Sequence, residues 1–168
     1  MEGYRVVFEH EILFRDLDAL GHVNNVAFIA FMEDARVQYW KTLRQELDAR
    51  RINFILAEIT CRYHSPAHLG ETLRVGISVA GLGNKSFRFE YRMEDKASGR
   101  LVVDGRSVQV MYDYESQQSI PLDDATRKAM ATVEGLPLAP TSSPHYARGA
   151  IARSWRWPCH RATAGART

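Results

Sequence analysis

The hydrophobic and polar positions of the chain follow two periods, and each period predicts a different kind of element. A period of two is typical of half-buried strands. It marks five segments, at residues 4–14, 58–64, 71–81, 87–94 and 100–112. After the first segment, apolar residues recur every three or four positions from Phe28 to Leu43, which predicts a long helix that starts at Asn25. A short second helix is predicted in residues 121–135, with an acidic first turn and Gly135 past its end.

The order of these elements predicts an α+β fold. Consecutive strands with short links favour an antiparallel sheet, and the link "GLGN" is typical of a hairpin. The first two turns of the long helix are apolar nearly all round, so we expect this half to be buried on most sides. In the last strand the apolar parity switches from Leu101 and Val103 to Val108 and Val110, which predicts a β-bulge near Gly105.

Length and composition indicate a single globular domain with an average content of hydrophobic and charged residues. The chain has 168 residues, of which 45% are hydrophobic and 25% are charged. The longest apolar run, Val26 to Met32, has seven residues and is too short to span a membrane. The N-terminus lacks the apolar core of a signal peptide, and two cysteines make no disulfide framework. These features predict a cytoplasmic protein.

The charges divide the chain into a domain, residues 1–134, and a basic tail, residues 135–168. The domain has 17 basic and 20 acidic residues, which argues against nucleic-acid binding by the main fold. The tail has five arginines, no acidic residue, four prolines and no sustained period, so we predict that it is disordered. Its segment "ARSWRWP" leaves open a contact with nucleic acid or an anionic membrane.

The segment "FRDLDALGHVNN", residues 14–25, concentrates polar groups at the start of the long helix. Two aspartates and a glycine resemble the start of a calcium loop, but Leu20 and Ala27 stand where that loop needs oxygen ligands. His22 has no second histidine or cysteine at zinc-ligand spacing. We therefore predict no metal at this loop.

Two interpretations of the loop remain. Aspartate, glycine and asparagine are ordinary turn residues, and Asn24 or Asn25 suits a helix N-cap. Alternatively, the helix start offers unpaired N–H groups that stabilise an oxyanion. Asp18 would then supply a carboxylate that acts as a nucleophile or as a general base. A carboxylate that faces a polarised carbonyl is sufficient for acyl hydrolysis.

Three segments resemble the single-hotdog thioesterases of the 4-hydroxybenzoyl-CoA thioesterase-like group. These are "RDLDALGHVNNVAFIAFMEDAR", "YHSPAHLGETLRV" and "GLGNKSFRFEY", and the resemblance covers about residues 4–134. It implies a hotdog fold, in which a five-stranded antiparallel sheet wraps around a long central helix. It also implies a homodimer whose two sheets run on into each other, or a homotetramer. The tail has no counterpart in this resemblance.

The resemblance also assigns the site residues. The second aspartate of the motif, here Asp18, is the catalytic carboxylate. Asn25 provides the backbone N–H that polarises the thioester carbonyl. The predicted substrate-binding residues are Gly21, His22, Asn24, Phe28, Lys85 and Ser86, with Lys85 as a contact for the phosphates of coenzyme A. No cofactor is implied.

The function that follows is hydrolysis of acyl-CoA thioesters to a free acid and coenzyme A. Two alternatives stay open. One is hydrolysis of acyl groups on acyl carrier protein, because the loop motif is also similar to that of plant acyl-ACP thioesterases. The other is a non-catalytic acyl-CoA sensor or an RNA-binding module that uses the arginine- and tryptophan-containing tail.

Overall fold

The computed structural model describes residues 1–44, 53–135 and 138. Within these residues the chain forms β1 (Val6–Glu11), α1 (Asn25–Arg44), β2 (Phe54–Tyr63), β3 (Thr72–Leu82), β4 (Ser86–Asp95), β5 (Leu101–Asp113), β6 (Gln118–Ser119) and α2 (Asp124–Glu134). The predicted disorder of the tail concerns residues that, apart from Gly135 and Leu138, lie outside the described ranges. No helix in the described ranges is long and apolar enough to cross a membrane.

The strands form one antiparallel sheet in the order β1-β3-β4-β5-β2, and β6 adds a short pair to the end of β5. The predicted α+β class and the predicted five main strands are confirmed. The link between β2 and β3 differs from a hairpin, because β2 lies at the edge of the sheet beside β5. No strand covers the other side of β2 in the part of the chain that the structure describes.

Helix α1 packs against the sheet through a face of large apolar side chains. Phe28, Phe31, Met32, Tyr39 and Trp40 are all at most 3% exposed. On the sheet, the helix packs against the inner rows of β3 and β4. These are Leu73, Val75, Ile77 and Val79 on β3, and Phe87, Phe89, Tyr91 and Met93 on β4. The architecture that the resemblance implied, a sheet wrapped around a long helix, is therefore confirmed.

The start of α1 is less buried than its composition predicted. Phe28 and Met32 are buried, but Val26 is 68% exposed and Ala30 is also exposed. The expectation that this half is buried on most sides is therefore wrong for the single chain. The described residues provide one sheet face for the helix, and within them no element covers its opposite apolar side.

The predicted bulge is not at Gly105, because the register runs through that residue without a shift, opposite Tyr91 on β4 and Cys61 on β2. The irregularity of β5 lies three residues earlier, at Val102, which is skipped where β5 pairs with Met93 and Glu94 of β4. Two further shifts lie between Leu56 and Glu58 in β2 and between Val79 and Gly81 in β3.

The apolar parity of β5 switches because two polar residues occupy its inner row. Ser107 and Gln109 have no exposed surface, whereas Val108 and Val110 of the opposite row are partly exposed. Gly105 is explained by packing rather than by a bulge, because an added Cβ would lie 2.5 Å from Cε of Met32. The missing side chain lets α1 approach the sheet closely.

Helix α2 ends on a buried carboxylate that joins three elements. Its N-cap is Asp123, which accepts a hydrogen bond from the N–H of Thr126, and Gly135 ends it in the left-handed region with a φ of 70°. Both features agree with the predicted short helix. Oε1 of Glu134 accepts hydrogen bonds from the hydroxyl of Tyr39 and from the N–H of Val79, both at 2.8 Å. Burial and the adjacent Glu134 carboxylate raise the pKa of Tyr39, so its hydroxyl stays a donor.

We predict that replacing Glu134 with leucine destabilises the fold. The substitution leaves the buried donors of Tyr39 and Val79 without an acceptor, and a hydrogen bond to a charged group contributes about 1.5–3 kcal/mol. We expect the free energy of unfolding, measured by urea denaturation, to fall by about 2–4 kcal/mol. The control is Glu115→Leu at an exposed position. Equal losses in the two variants would contradict an anchoring role for Glu134.

Candidate active site

The loop before α1 is held in shape mainly by Asp16. A single turn of 3-10 helix spans Phe14–Asp16. Oδ2 of Asp16 accepts a hydrogen bond from the N–H of Leu13 at 2.8 Å. The backbone carbonyl of Asp16 accepts one from the N–H of Asn24, also at 2.8 Å. These bonds join the two ends of the loop. They agree with the interpretation of Asp16 as a turn residue.

Asp18 lies near the tip of this loop, with part of its carboxylate free. The N–H of Asp18 donates to the carbonyl of His22 at 2.9 Å, and the N–H of Gly21 donates to the carbonyl of Asp18 at 3.1 Å. Gly21 has a φ of 80°, which favours glycine at this turn. Oδ1 of Asp18 accepts from the N–H of Leu20 at 2.8 Å. Oδ2 has no hydrogen-bond donor among the described residues and is available for chemistry.

The first turn of α1 leaves one backbone donor open. Asn24 caps the helix, because its Oδ1 accepts from the N–H of Val26 and its carbonyl accepts from the N–H of Ala27, both at 2.9 Å. The N–H of Asn25 has no acceptor in the described part of the chain, and Asn25 is exposed. Partial positive charge concentrates at such a helix start. The N–H of Asn25 is therefore suited to hold an oxyanion.

Tyr63 fixes this helix start against the edge strand. Its hydroxyl donates to the carbonyl of Asn25 at 3.0 Å, and its ring lies 5.9 Å from that of Phe28. Burial and a hydrogen bond with Cys61 raise the pKa of Tyr63 to about 12. The phenol is therefore protonated at neutral pH. Phe28, a predicted substrate-binding residue, is 3% exposed and lies one turn below Asn25.

A second histidine, which the sequence did not single out, lies beside His22. The rings of His22 and His68 are 5.5 Å apart in an edge-to-face arrangement. The N–H of Val23 donates to the carbonyl of Ala67 at 2.9 Å and so brings the two loops together. Nothing in the spacing of these residues indicates that contact. Across residues 1–44, 53–135 and 138, no three histidine, cysteine or acidic side chains are grouped to hold a metal.

Lys85 and Ser86 lie far from the other predicted site residues within one chain. They occupy the hairpin between β3 and β4, where Nζ of Lys85 donates to the carbonyl of Ser119 at 2.6 Å. The loop of Asp18 lies near the other end of β4, because Ile12 pairs with Glu71 just before β3 begins. Strand β4 has ten residues, or roughly 30 Å. Gly21, His22, Asn24 and Phe28 are near Asp18 and Asn25, whereas Lys85 and Ser86 are not.

The chain is similar to known proteins over this whole region. The family model for the thioesterase-like superfamily matches residues 12–130. The long-chain acyl-CoA thioesterase FadM of Escherichia coli K12 is 28% identical over 119 residues, which cover 68% of this chain and 88% of FadM.

Solved structures are similar as well. A thioesterase from Thermus thermophilus, solved with coenzyme A and zinc, is 34% identical with a TM-score of 0.75, over 82% of this chain and all of that one. A 1,4-dihydroxy-2-naphthoyl-CoA thioesterase from Synechocystis has a TM-score of 0.67 at 18% identity, over 74% of this chain and 94% of that one. The Synechocystis likeness supports the fold alone.

We predict that Tyr63→Phe loosens the start of α1. The change removes the hydrogen bond to the carbonyl of Asn25 and leaves the ring in place. Amide hydrogen exchange at Ala27 and Phe28 should become roughly two- to tenfold faster. In an ultraviolet titration of its tyrosines, the variant should lack the phenol of Tyr63, whose pKa in wild type is raised to about 12.

The matched control for this prediction is Tyr114→Phe. Tyr114 also donates from its hydroxyl to a backbone carbonyl, that of Phe54 at 3.1 Å, but at the other end of β2. Because its folded pKa is raised, the contribution of Tyr63 to stability is present below pH 10 and is lost as the pH rises through about 12. If Ala27 and Phe28 exchange equally fast in wild type and Tyr63→Phe, the positioning role is wrong.

Proposed function

The chain belongs to the thioesterase-like superfamily, and from this premise we propose that it hydrolyses acyl-CoA thioesters with Asp18 as the catalytic carboxylate. The observation that carries the proposal is the open N–H of Asn25 on the same loop–helix unit as a carboxylate with a free oxygen. The first of these groups polarises a carbonyl, and the second attacks it or activates water. Together the two groups are sufficient for acyl hydrolysis.

The carbonyl oxygen of the thioester accepts a hydrogen bond from the N–H of Asn25, and charge develops on that oxygen in the transition state. The partial positive charge of the helix start stabilises this oxyanion. Val26 and Ala27 do not compete for it, because the side chain and carbonyl of Asn24 already accept from their N–H groups. Tyr63 acts as a positioning residue, since it holds the carbonyl of Asn25 and with it the orientation of the first turn.

Two routes lead from this complex to products. As a general base, Asp18 takes a proton from water while the water oxygen bonds to the carbonyl carbon. The tetrahedral intermediate then expels the thiolate of coenzyme A, which takes up the proton. As a nucleophile, Asp18 itself bonds to the carbonyl carbon, expels the thiolate and forms a mixed anhydride that water hydrolyses. Heavy oxygen from labelled water that appears in Asp18 after a single turnover would establish the nucleophilic route.

Coenzyme A is the carrier that the comparisons favour. FadM is named for long-chain acyl-CoA, and the thioesterase of Thermus thermophilus was solved with coenzyme A. The alternative carrier, acyl carrier protein, is acidic and would need a basic docking surface. Comparing kcat/KM for one acyl group on both carriers decides between them. Binding of acyl-CoA without turnover would favour the non-catalytic alternative.

We infer that the working unit contains a second copy of this chain. Strand β2 has an open edge beside the site, and Val26 and Ala30 expose the apolar side of α1 next to it. Pairing of two β2 edges would cover this surface. A second copy would also have to supply any contact of Lys85 or Ser86 with the same substrate, because one chain separates them from Asp18. The homodimer or homotetramer and the cytoplasmic location stay predictions.

We predict that Asp18→Asn abolishes most of the activity and keeps the fold. Asparagine retains an oxygen that accepts from the N–H of Leu20, but it is neither a nucleophile nor a base at neutral pH. We expect kcat for acyl-CoA hydrolysis, followed by release of the free thiol, to fall by about 10²–10⁴-fold. Circular dichroism and the oligomeric state should not change.

The control for Asp18 is the same substitution at an exposed aspartate of α1, Asp34→Asn. This change should alter kcat by less than about twofold, because surface substitutions away from the site have small effects. A properly folded Asp18→Asn variant with near-normal turnover would rule out Asp18 as the catalytic group. It would leave the class of reaction open to test with other residues.

A further inference from the structure

A row of polar side chains crosses the core between α1 and the sheet, and the proposed chemistry does not use it. Its members are Arg36 on α1, Tyr91 on β4, and Ser107 and Gln109 on β5, all at most 7% exposed. Nη1 of Arg36 donates to the hydroxyl of Tyr91 at 3.3 Å, and that hydroxyl is 2.5 Å from Oγ of Ser107. Nε2 of Gln109 donates to the same Oγ at 2.6 Å. We call these four residues the polar row.

The polar row has unused hydrogen-bonding capacity at both ends. Oε1 of Gln109 is buried and has no hydrogen-bond partner within the described residues. Exchanging the amide oxygen and nitrogen would only move the deficit to the nitrogen. At the other end, the guanidinium of Arg36 has one long hydrogen bond to the described residues and lies 3.9 Å from the carboxylate of Glu33, which is 74% exposed. Buried polar groups are costly to leave unpaired, so a missing ligand is a physical explanation of the row.

The polar row lies on the same stripe of α1 as the open N–H. Asn25, Phe28, Met32 and Arg36 follow one another at spacings of three and four, which places them along one side of the helix. Asn25 and Arg36 are separated by eleven residues, or about 16 Å of helix. The side chain of Arg36 leans back toward the helix start, as helical side chains do, and shortens that distance.

Met32 fills the space between the two ends of this stripe. It has no exposed surface and lies against Gly105, in the space that a Cβ would occupy. Methionine is unbranched and flexible and adapts readily to new neighbours. An acyl chain that enters past Phe28 would replace contacts of Met32 with equally apolar contacts.

We propose that the polar row is the far wall of the acyl-binding space and that Gln109 selects an aliphatic acyl group with a hydroxyl at its far end. This inference rests on the proposed function. The hydroxyl would donate to Oε1 of Gln109, the unpaired acceptor at that end of the polar row. A hydroxyl fits better than a carboxylate, because the unpaired atom of Gln109 is an acceptor and Glu33 already offsets the charge of Arg36.

The test compares ω-hydroxydecanoyl-CoA with decanoyl-CoA. Wild type should show a ratio of kcat/KM values of at least about tenfold in favour of the hydroxylated substrate, the value of one buried hydrogen bond. Gln109→Met keeps the shape of the side chain and removes the amide, so the ratio should fall toward one. A wild-type ratio near one, or a loss in Gln109→Met that is equal for both substrates, would overturn the inference.

A binding measurement separates this inference from the proposed function. The melting temperature of wild type should rise more with ω-hydroxydecanoic acid than with decanoic acid at equal concentration, whether or not the protein turns over a thioester. If Gln109→Met does not fold, Ser107→Ala serves instead, because it removes the partner that orients the amide. Equal thermal shifts by the two acids in wild type would count against Gln109 even if acyl-CoA is hydrolysed.

Discussion

The packing of α1 against the inner face of the sheet is the contact on which the rest of the structure depends. The large side chains of the helix fill the concave face, and Gly105 lets Met32 lie directly on β5. Because the helix is fixed along its length, its first turn is fixed as well. The loop that Asp16 closes and the carbonyl that Tyr63 holds then set where the N–H of Asn25 points. The position of this open N–H at the helix start is thus a consequence of core packing.

Much of the fold follows from local pattern. The alternation of β3 and β4 survives in the structure because their inner rows are uniformly apolar, and α2 begins and ends where Asp123 and Gly135 indicate. The pattern failed where burial and polarity disagree. Ser107 and Gln109 are buried polar residues, so the apolar parity of β5 pointed to a bulge near Gly105, where the register has no shift. It failed again at Val26 and Ala30, because one chain cannot cover an apolar side that faces away from its own sheet.

The candidate site was predictable where it lies on continuous sequence and unpredictable where it depends on distant contacts. Asp18, Gly21, Asn24 and Asn25 belong to one loop–helix unit, and turn chemistry and helix capping alone place them together. His68 approaches His22 only because a backbone bond joins the two loops, and no local signal records such a bond. Lys85 was assigned because it is a basic residue at a turn and coenzyme A carries phosphates, but its hairpin lies at the opposite end of β4.

Polar groups without a hydrogen-bond partner are informative, because natural sequences usually tolerate such local defects at functional positions. In this chain one such defect lies at the start of α1, and another lies on β5 at the end of the polar row that includes Arg36. Among the residues that the structure describes, the N–H of Asn25 lacks an acceptor and Oε1 of Gln109 lacks a donor. A helix fixes the distance between its own turns, so the stripe of α1 from Asn25 to Arg36 has a defined length. A ligand with a polar head, an apolar middle and a polar end would satisfy both groups at once, whereas a purely apolar chain would satisfy only the first. Under the proposed function, the packing of α1 that positions the reacting carbonyl would therefore also select the acyl group that is attached to it.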